Sequence, residues 1–157
     1  MNLSEIVDEI MHGELDDERA EVKNCFSSSY RLASALEREL DGEEWTVMYC
    51  ELYRGNAIIP EQGPHAVTLV VNNMTLDTKV IEVANYEMYG TRIADYVEYL
   101  DSVSAKCVDQ MLVRDCYKYF ETGVYGWWSE KINDMYEQAH KDLMAKLTKL
   151  QEMSEEE

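Results

Sequence analysis

The residues best suited to nucleophilic, acid–base or metal chemistry are few. They are three histidines and four cysteines, namely His12, His65, His140, Cys25, Cys50, Cys107 and Cys116. None of them shows the paired spacing of a zinc site, such as HxxxH, HExxH or CxxC. The motifs GxGxxG and GxSxG and the Walker loop are absent as well. We therefore predict no metal ion, no cofactor and no common nucleotide or acyl-transfer chemistry.

His65 is the best single candidate for a catalytic group. It stands in a predicted loop before a strand, where it could meet Cys50 or Glu51 of the preceding hairpin and form a thiol or general-base site. The competing interpretation, which the sequence favours, is an exposed loop histidine and a buried cysteine. With 32 acidic residues, a pair of nearby carboxylates is uninformative. A small hydrolase is accordingly an alternative, and we predict no catalytic residue.

Acidic residues form two series that could bind a partner. The first lies in the first two predicted helices and includes Glu14, Asp16, Asp17 and Glu18. The second extends along the sheet edge and a third helix and comprises Glu82, Glu87, Asp95, Glu98 and Asp101. Neighbouring carboxylates on a helix lie about 5–6 Å apart, close to the phosphate spacing of one DNA strand, so they could occupy a DNA-binding groove. The alternative is an ordinary solvated helix face.

An aromatic group beside two glycines is the third candidate for binding. Tyr125, Trp127 and Trp128 follow and flank Gly123 and Gly126, and aromatic side chains often anchor protein interfaces. More often they seal a core. Because adjacent residues on a helix point in different directions, we expect one tryptophan to be buried and the other partly exposed.

The elements that position these residues predict an α+β fold in one domain, residues 1–153, with an acidic tail at 154–157. A first helix ends at Gly13, with Ser4 near its start, and a second runs from about Asp17 to Leu40. Three strands are then predicted over 45–53, 66–71 and 78–84, with a short fourth over 57–59. They form an antiparallel sheet of three to four strands, about residues 45–84, flanked by N-terminal and C-terminal helices.

A long helix is predicted to start near Thr91 and to run to Phe120 or break midway. Its apolar face carries Ile93, Val97, Leu100, Ser104, Cys107 and Met111. Ser129 is expected to cap a final helix whose near-heptad stripe could pair with a second copy as a homodimer. That stripe comprises Ile132, Tyr136, Ala139, Leu143, Leu147 and Leu150.

The charge balance narrows the class of partner. The chain has 32 acidic and 14 basic side chains and a net charge of -18. Such a surface attracts cationic partners, so a basic nucleic-acid-binding protein or nuclease complex is expected, and neither nucleic acid nor a membrane is a direct partner. The N-terminal residues show no leader and no membrane anchor, which favours a cytoplasmic protein.

The region from about 30 to 100 resembles the ArdB/KlcA antirestriction family. Leu40-Asp41-Gly42 followed by Trp45 is similar to the family's Tyr-Asp-Gly-Gly-Phe-Trp segment. Glu51-Leu52 and Gly55-Asn56-Ala57 stand where the family has Phe-Tyr-Glu-Leu and a Gly-Gly-Ala turn. The resemblance implies a protein of plasmids or phages that relieves type I restriction without being an enzyme.

The leading prediction is therefore an acidic anti-defence protein of a phage, plasmid or other mobile element. It would inhibit a type I restriction-modification complex or a CRISPR effector by protein–protein binding, in one version as a DNA mimic. The first alternative is a non-catalytic regulatory or structural protein that oligomerises, and the second is the small hydrolase.

Overall fold

A computed structural model describes residues 2–13, 15, 25–55, 60, 63–83, 92–118, 120–123 and 126–155. The helices are α1 (Leu3–His12), α2 (Cys25–Glu39), α3 (Tyr96–Ser102) and α4 (Glu130–Glu155), with a 3-10 helix over Val113–Lys118. The strands are β1 (Trp45–Arg54), β2 (Pro64–Asn72), β3 (Thr78–Glu82), β4 (Arg92–Asp95), β5 (Ala105–Leu112), β6 (Phe120–Gly123) and β7 (Gly126–Ser129). This content confirms the α+β class.

The main sheet has five antiparallel strands in the order β4-β3-β2-β1-β5. β1, β2 and β3 are the three strands predicted from alternation and turn residues. The two further strands lie at the edges, so the predicted size of three to four strands was too small. The predicted strand over 57–59 and the first part of the predicted second helix, residues 17–24, lie outside the described residues.

The long helix predicted from Thr91 is wrong over most of its length. Among the described residues of this stretch only Tyr96–Ser102 is α-helical, β4 and β5 lie on either side of it, and Val113–Lys118 is a 3-10 helix. Val103 closes the helix, and Ser104 has a φ of 52°, a left-handed conformation that no α-helix can continue through. Trp127 and Trp128 also lie on a strand, β7, and not on a helix.

Helices cover both faces of the sheet. On one face α1 and α2 pack against β-strand residues that include Val47, Val70 and Ile81. On the other face Tyr99 of α3 packs against a cluster that includes Cys50 and Leu69. Alternate residues of a strand point to opposite faces, which explains how Tyr49 and Cys50 enter different clusters.

The helix ends agree in part with the prediction. Asn2, and not Ser4, caps α1, because its side chain accepts the backbone N–H of Glu5 at 2.9 Å. Gly13 ends α1 as predicted. Ser129 caps α4, accepting the backbone N–H of Ile132 at 3.4 Å, which confirms that prediction. In the described part of the chain, no helix has the length and apolar character needed to cross a membrane.

Candidate active site

Chain connectivity brings Cys25, His65 and Glu82 to the same end of the sheet. The 15-residue α2 begins at Cys25 and ends near the turn into β1, whose first residue Trp45 pairs with Asn72 at the end of β2. The start of α2 therefore lies about 22 Å away, towards the opposite end of the sheet. β2 begins and β3 ends at that opposite end. His65 is the second residue of β2 and Glu82 is the last residue of β3.

His65 and Glu82 form a buried ion pair. The Nε2 atom of His65 lies 2.9 Å from both carboxylate oxygens of Glu82. The hydroxyl of Tyr99, on α3, donates a hydrogen bond to Oε2 of the same carboxylate. The exposed fraction of each residue is small, 4% for His65, 7% for Glu82 and 5% for Tyr99. Glu82 thus holds the imidazole in one orientation, and Tyr99 holds Glu82.

Cys25 is the second group that acts on the pKa of His65. Burial alone would lower the pKa of the imidazole, but the Glu82 carboxylate, together with the charge of Cys25 and its hydrogen bond, raises that pKa to about 10. His65 is therefore protonated at neutral pH. Since Glu82 occupies Nε2, Nδ1 is the nitrogen left for a second partner. Cys25 is 7% exposed and is the first residue of α2.

Two buried hydrogen bonds fix α2 against β2 beside this pair. The Ser29 hydroxyl, one helical turn after Cys25, donates to the carbonyl oxygen of Ala66 at 3.1 Å. The Thr68 hydroxyl donates to the carbonyl oxygen of Ser29 at 2.8 Å. Because Ala66 follows His65 directly, these bonds set the distance between the helix that carries the thiol and the strand that carries the imidazole.

Together the three groups have the composition of a nucleophilic catalytic triad. A thiol lies next to a histidine base, and a carboxylate orients that base through its far nitrogen. Such a constellation is recognised by geometry and roles, not by position in the sequence. The arrangement is suited to attack on a carbonyl carbon and transfer of an acyl group.

No protein-family model, no curated protein and no solved structure matches this chain. The ArdB/KlcA resemblance stays a prediction.

The sequence identified His65 but assigned it the wrong surroundings. It is a buried strand residue and not an exposed loop residue. Its hydrogen-bond partner is Glu82, and Cys25 acts on its pKa, whereas Cys50 and Glu51 were expected. Cys25 was missed because it lies 40 positions before His65, and no short motif joins them. The available signal was a cysteine inside the predicted second helix, a histidine one residue before the predicted strand over 66–71, and a glutamate inside the predicted strand over 78–84.

The predicted partner-binding residues have mixed locations. Glu82 is buried in the ion pair, so the expectation that it belongs to an exposed acidic surface is wrong. Glu98 and Asp101 are exposed on α3, and Asp95 is half-buried with a carboxylate oxygen 4.0 Å from Lys79 Nζ. The others lie outside the described residues: Glu14, Asp16, Asp17, Glu18, Glu87 and Tyr125. For Trp127 and Trp128 the backbone is described but not the side chains.

Metal binding was not expected from the sequence. Across the described residues, no group of three or more histidine, cysteine, aspartate or glutamate side chains is placed to hold a metal ion.

Proposed function

We propose that the protein is a cysteine-dependent acyl-transfer enzyme, a small hydrolase whose nucleophile is Cys25. The observation that carries the proposal is the 2.9 Å bond from His65 Nε2 to Glu82, in an imidazole whose pKa Cys25 also raises. Acyl transfer requires a nucleophile and a base. The thiol supplies the nucleophile, and the histidine, which the carboxylate orients, supplies the base.

The reaction begins with the Cys25 thiolate attacking the carbonyl carbon of an amide or ester. A C–S bond forms, and the carbonyl π electrons move to oxygen to give a tetrahedral oxyanion. When the oxyanion collapses, the C–N or C–O bond breaks, and His65 gives its proton to the leaving amine or alcohol. The product is a thioester on Cys25. Water then attacks the thioester while His65 accepts a proton, which releases a carboxylic acid and restores the thiolate.

Glu82 acts through His65 and is a positioning residue. Its negative charge stabilises the imidazolium, and its two oxygens keep Nε2 from turning toward the thiol. The Tyr99 hydroxyl, on α3, donates a further hydrogen bond to this carboxylate. The carboxylate therefore determines both the orientation of the ring and the pH range in which it carries a proton.

Reaction with an activated ester, p-nitrophenyl acetate, tests the proposal. We expect a burst of one nitrophenolate per chain, followed by slower turnover, because acylation of the thiol precedes hydrolysis of the thioester. Cys25→Ser should abolish the burst. His65→Gln should slow acylation by about 100-fold or more, the usual contribution of general acid–base catalysis. Cys116→Ser is the matched control, since it removes another buried thiol and should keep the full burst.

Glu82→Gln distinguishes a positioning role from a merely structural one. Acylation should slow by roughly 10- to 100-fold, because small misplacements of a catalytic group have effects of that size. Since the carboxylate raises the pKa of His65, its removal should also move the alkaline limb of the pH–rate profile to lower pH. A burst that survives Cys25→Ser, or a wild-type rate in His65→Gln, would refute the enzyme proposal.

Binding to a basic protein is the second candidate function, and exposed carboxylates favour it. Residues 37–44, around the turn from α2 to β1, contain the exposed side chains of Glu37, Glu39, Asp41, Glu43 and Glu44 and only one basic residue, Arg38. The neighbouring turn between β2 and β3 is held to this segment by Asn73, whose Nδ2 donates to the carbonyl oxygen of Glu43 at 3.1 Å. That turn exposes Met74 by 87% and Leu76 by 72%.

The exposed side chains of Met74 and Leu76 thus lie beside the carboxylates of segment 37–44. This surface fits a partner that has an apolar cleft surrounded by lysine and arginine, as a nucleic-acid-binding protein provides. This version supports the predicted anti-defence role against a restriction or CRISPR complex. Capture by purified type I restriction complex at low and high salt tests it. Glu43→Lys combined with Glu44→Lys should weaken capture and reduce its salt dependence, whereas Glu137→Lys on α4 should not. Equal binding by both variants would exclude this surface.

A further inference from the structure

Cys50 and Cys107 form a second thiol site, independent of Cys25. Cys50 lies on β1 and Cys107 on the neighbouring edge strand β5, and their sulfur atoms are 3.7 Å apart. The strand register shifts between Glu51 and Leu52, and Leu52 pairs with Cys107. This irregularity lets the two cysteines approach on one face of the sheet.

We propose that Cys50 and Cys107 are an oxidation site that peroxides convert to a disulfide. Cys107 is only partly buried, so a small oxidant can reach its sulfur, whereas Cys50 is fully buried. The two positions therefore suit different roles, an accessible thiol that reacts first and a buried thiol that resolves the product. A disulfide requires the sulfur atoms to approach to about 2.05 Å, which side-chain rotation and a small shift of an edge strand can supply.

The surroundings of Cys107 favour its thiolate. A hydrogen bond from the Cys50 thiol lowers the pKa of Cys107, and burial opposes this effect. A hydrogen bond from Tyr96 of α3 and the charge of Lys131 of α4 lower the pKa further, while Asp109 of β5 raises it. The Lys131 ammonium also binds the Asp109 carboxylate at 3.3 Å, which reduces that opposition. The pKa of Cys50 is raised, first by its hydrogen bond to Cys107 and then by burial.

The chemistry balances with a peroxide as the oxidant. The Cys107 thiolate attacks one oxygen of hydrogen peroxide, the O–O bond breaks, and a sulfenic acid forms with release of hydroxide. The sulfur of Cys50 then attacks the Cys107 sulfur, the S–O bond breaks, and a second hydroxide leaves. The thiol protons neutralise the two hydroxides, so two thiols and one peroxide give one disulfide and two waters.

The Cys25→Ser chain is the suitable background, because it removes the proposed nucleophile and leaves three cysteines. We expect hydrogen peroxide to reduce its free thiols from three to one. Tryptic digestion should then yield residues 39–54 joined to residues 107–114 by a disulfide that reductant cleaves. Cys116→Ser in the same background is the control and should still lose two thiols.

Single variants separate the two roles. Cys50→Ser should trap a sulfenic acid on Cys107, detected by a mass increase after labelling with dimedone. Cys107→Ser should leave Cys50 unoxidised. A dimedone label on Cys50, a disulfide to Cys116, or no loss of thiols at a peroxide excess that oxidises free cysteine would overturn the proposal. None of these outcomes depends on whether Cys25 is a catalytic nucleophile.

Discussion

Glu51 and Ser129 are joined inside the protein although 78 positions separate them in the chain. The backbone N–H of Ser129 donates to a Glu51 oxygen at 2.9 Å, and its hydroxyl donates to the other oxygen. Tyr49 donates to the same carboxylate at 2.8 Å. Since Ser129 caps α4, one fully buried carboxylate connects the start of the C-terminal helix to β1, an inner strand of the sheet.

Replacing Glu51 should loosen this connection. Glu51→Gln keeps the shape but substitutes an N–H donor for one acceptor, so a buried donor of Ser129 loses its partner. We expect the free energy of unfolding to fall by about 2–3 kcal/mol, measured by urea denaturation. Glu130→Gln removes an exposed carboxylate one residue after the cap and should change stability by less than about 0.5 kcal/mol. Equal effects of the two substitutions would contradict a special role for Glu51.

The His65–Glu82 pair should make stability depend on pH in the alkaline range. The pKa of His65 is raised in the folded state, from 6.5 to about 10. A raised pKa contributes stability that is fully present below pH 6.5 and is lost as pH rises through about 10. The unfolding free energy of the wild type minus that of His65→Gln should therefore be about 3 kcal/mol near neutral pH and shrink toward the alkaline limit.

His140→Gln is the control for this titration, because it removes an exposed histidine on α4. Its difference from the wild type should stay small across the same range. A His65→Gln difference that stays constant with pH would show that the imidazole is neutral when folded, which would also weaken the thiolate–imidazolium pair proposed for catalysis.

The sequence predicted elements that local pattern controls and failed where distant pairing decides. β1 to β3 follow from β-branched and aromatic residues between turn residues, and Ser129 follows from capping chemistry. The stretch from Ile93 to Met111 matches a helical period, yet β5 pairs with β1, more than 50 positions away. The pairing energy of a distant strand cannot be read from a local window.

The candidate site illustrates the same limit. His65 could be singled out because histidine is rare in this chain, but its partners depend on how α2 packs on β2 and how β3 pairs with β2. Glu82 was one of 32 acidic residues, so only its burial distinguishes it from the solvated ones. Composition predicted the charge of the surface but not which carboxylate lies inside.

Leu76 should be replaceable by glycine with a gain in stability. Its φ is 62°, a left-handed conformation in which a side chain with a Cβ atom is strained, and its side chain is 72% exposed. Leu76→Gly should raise the free energy of unfolding by about 1 kcal/mol in urea denaturation. Met74→Gly, at an exposed position without a left-handed φ, should instead lower it by about 0.5 kcal/mol.

A stabilised Leu76→Gly variant is also informative about binding. If the strained leucine serves contact with a basic partner, the variant should bind the restriction complex more weakly despite its greater stability. Unchanged binding together with greater stability would remove Leu76 from the proposed contact surface while leaving the acidic segment 37–44 in place.

The second half of α4 should associate with a second copy of the chain. From Met144 to Glu155 every residue is exposed. Leu147 and Leu150 lie there on one face of the helix, with exposed fractions of 48% and 53%, and the half-buried Leu143 continues this face one turn earlier. An apolar helix face of this kind is commonly covered by another helix, and the heptad-like spacing suits a pair of α-helices.

Sedimentation velocity over a range of protein concentrations tests this association. The wild type should form a dimer that higher salt strengthens, because each chain carries a net charge of -18 and repels its copy. Leu147→Glu should shift the equilibrium to monomer, since it places a charge in the apolar face. Ala145→Glu adds the same charge at an exposed position on the opposite side of α4 and should leave most of the dimer intact. If both variants dissociate equally, charge repulsion between the two copies controls assembly, and the apolar face does not. A wild type that stays monomeric at high salt would exclude α4 as a dimer contact.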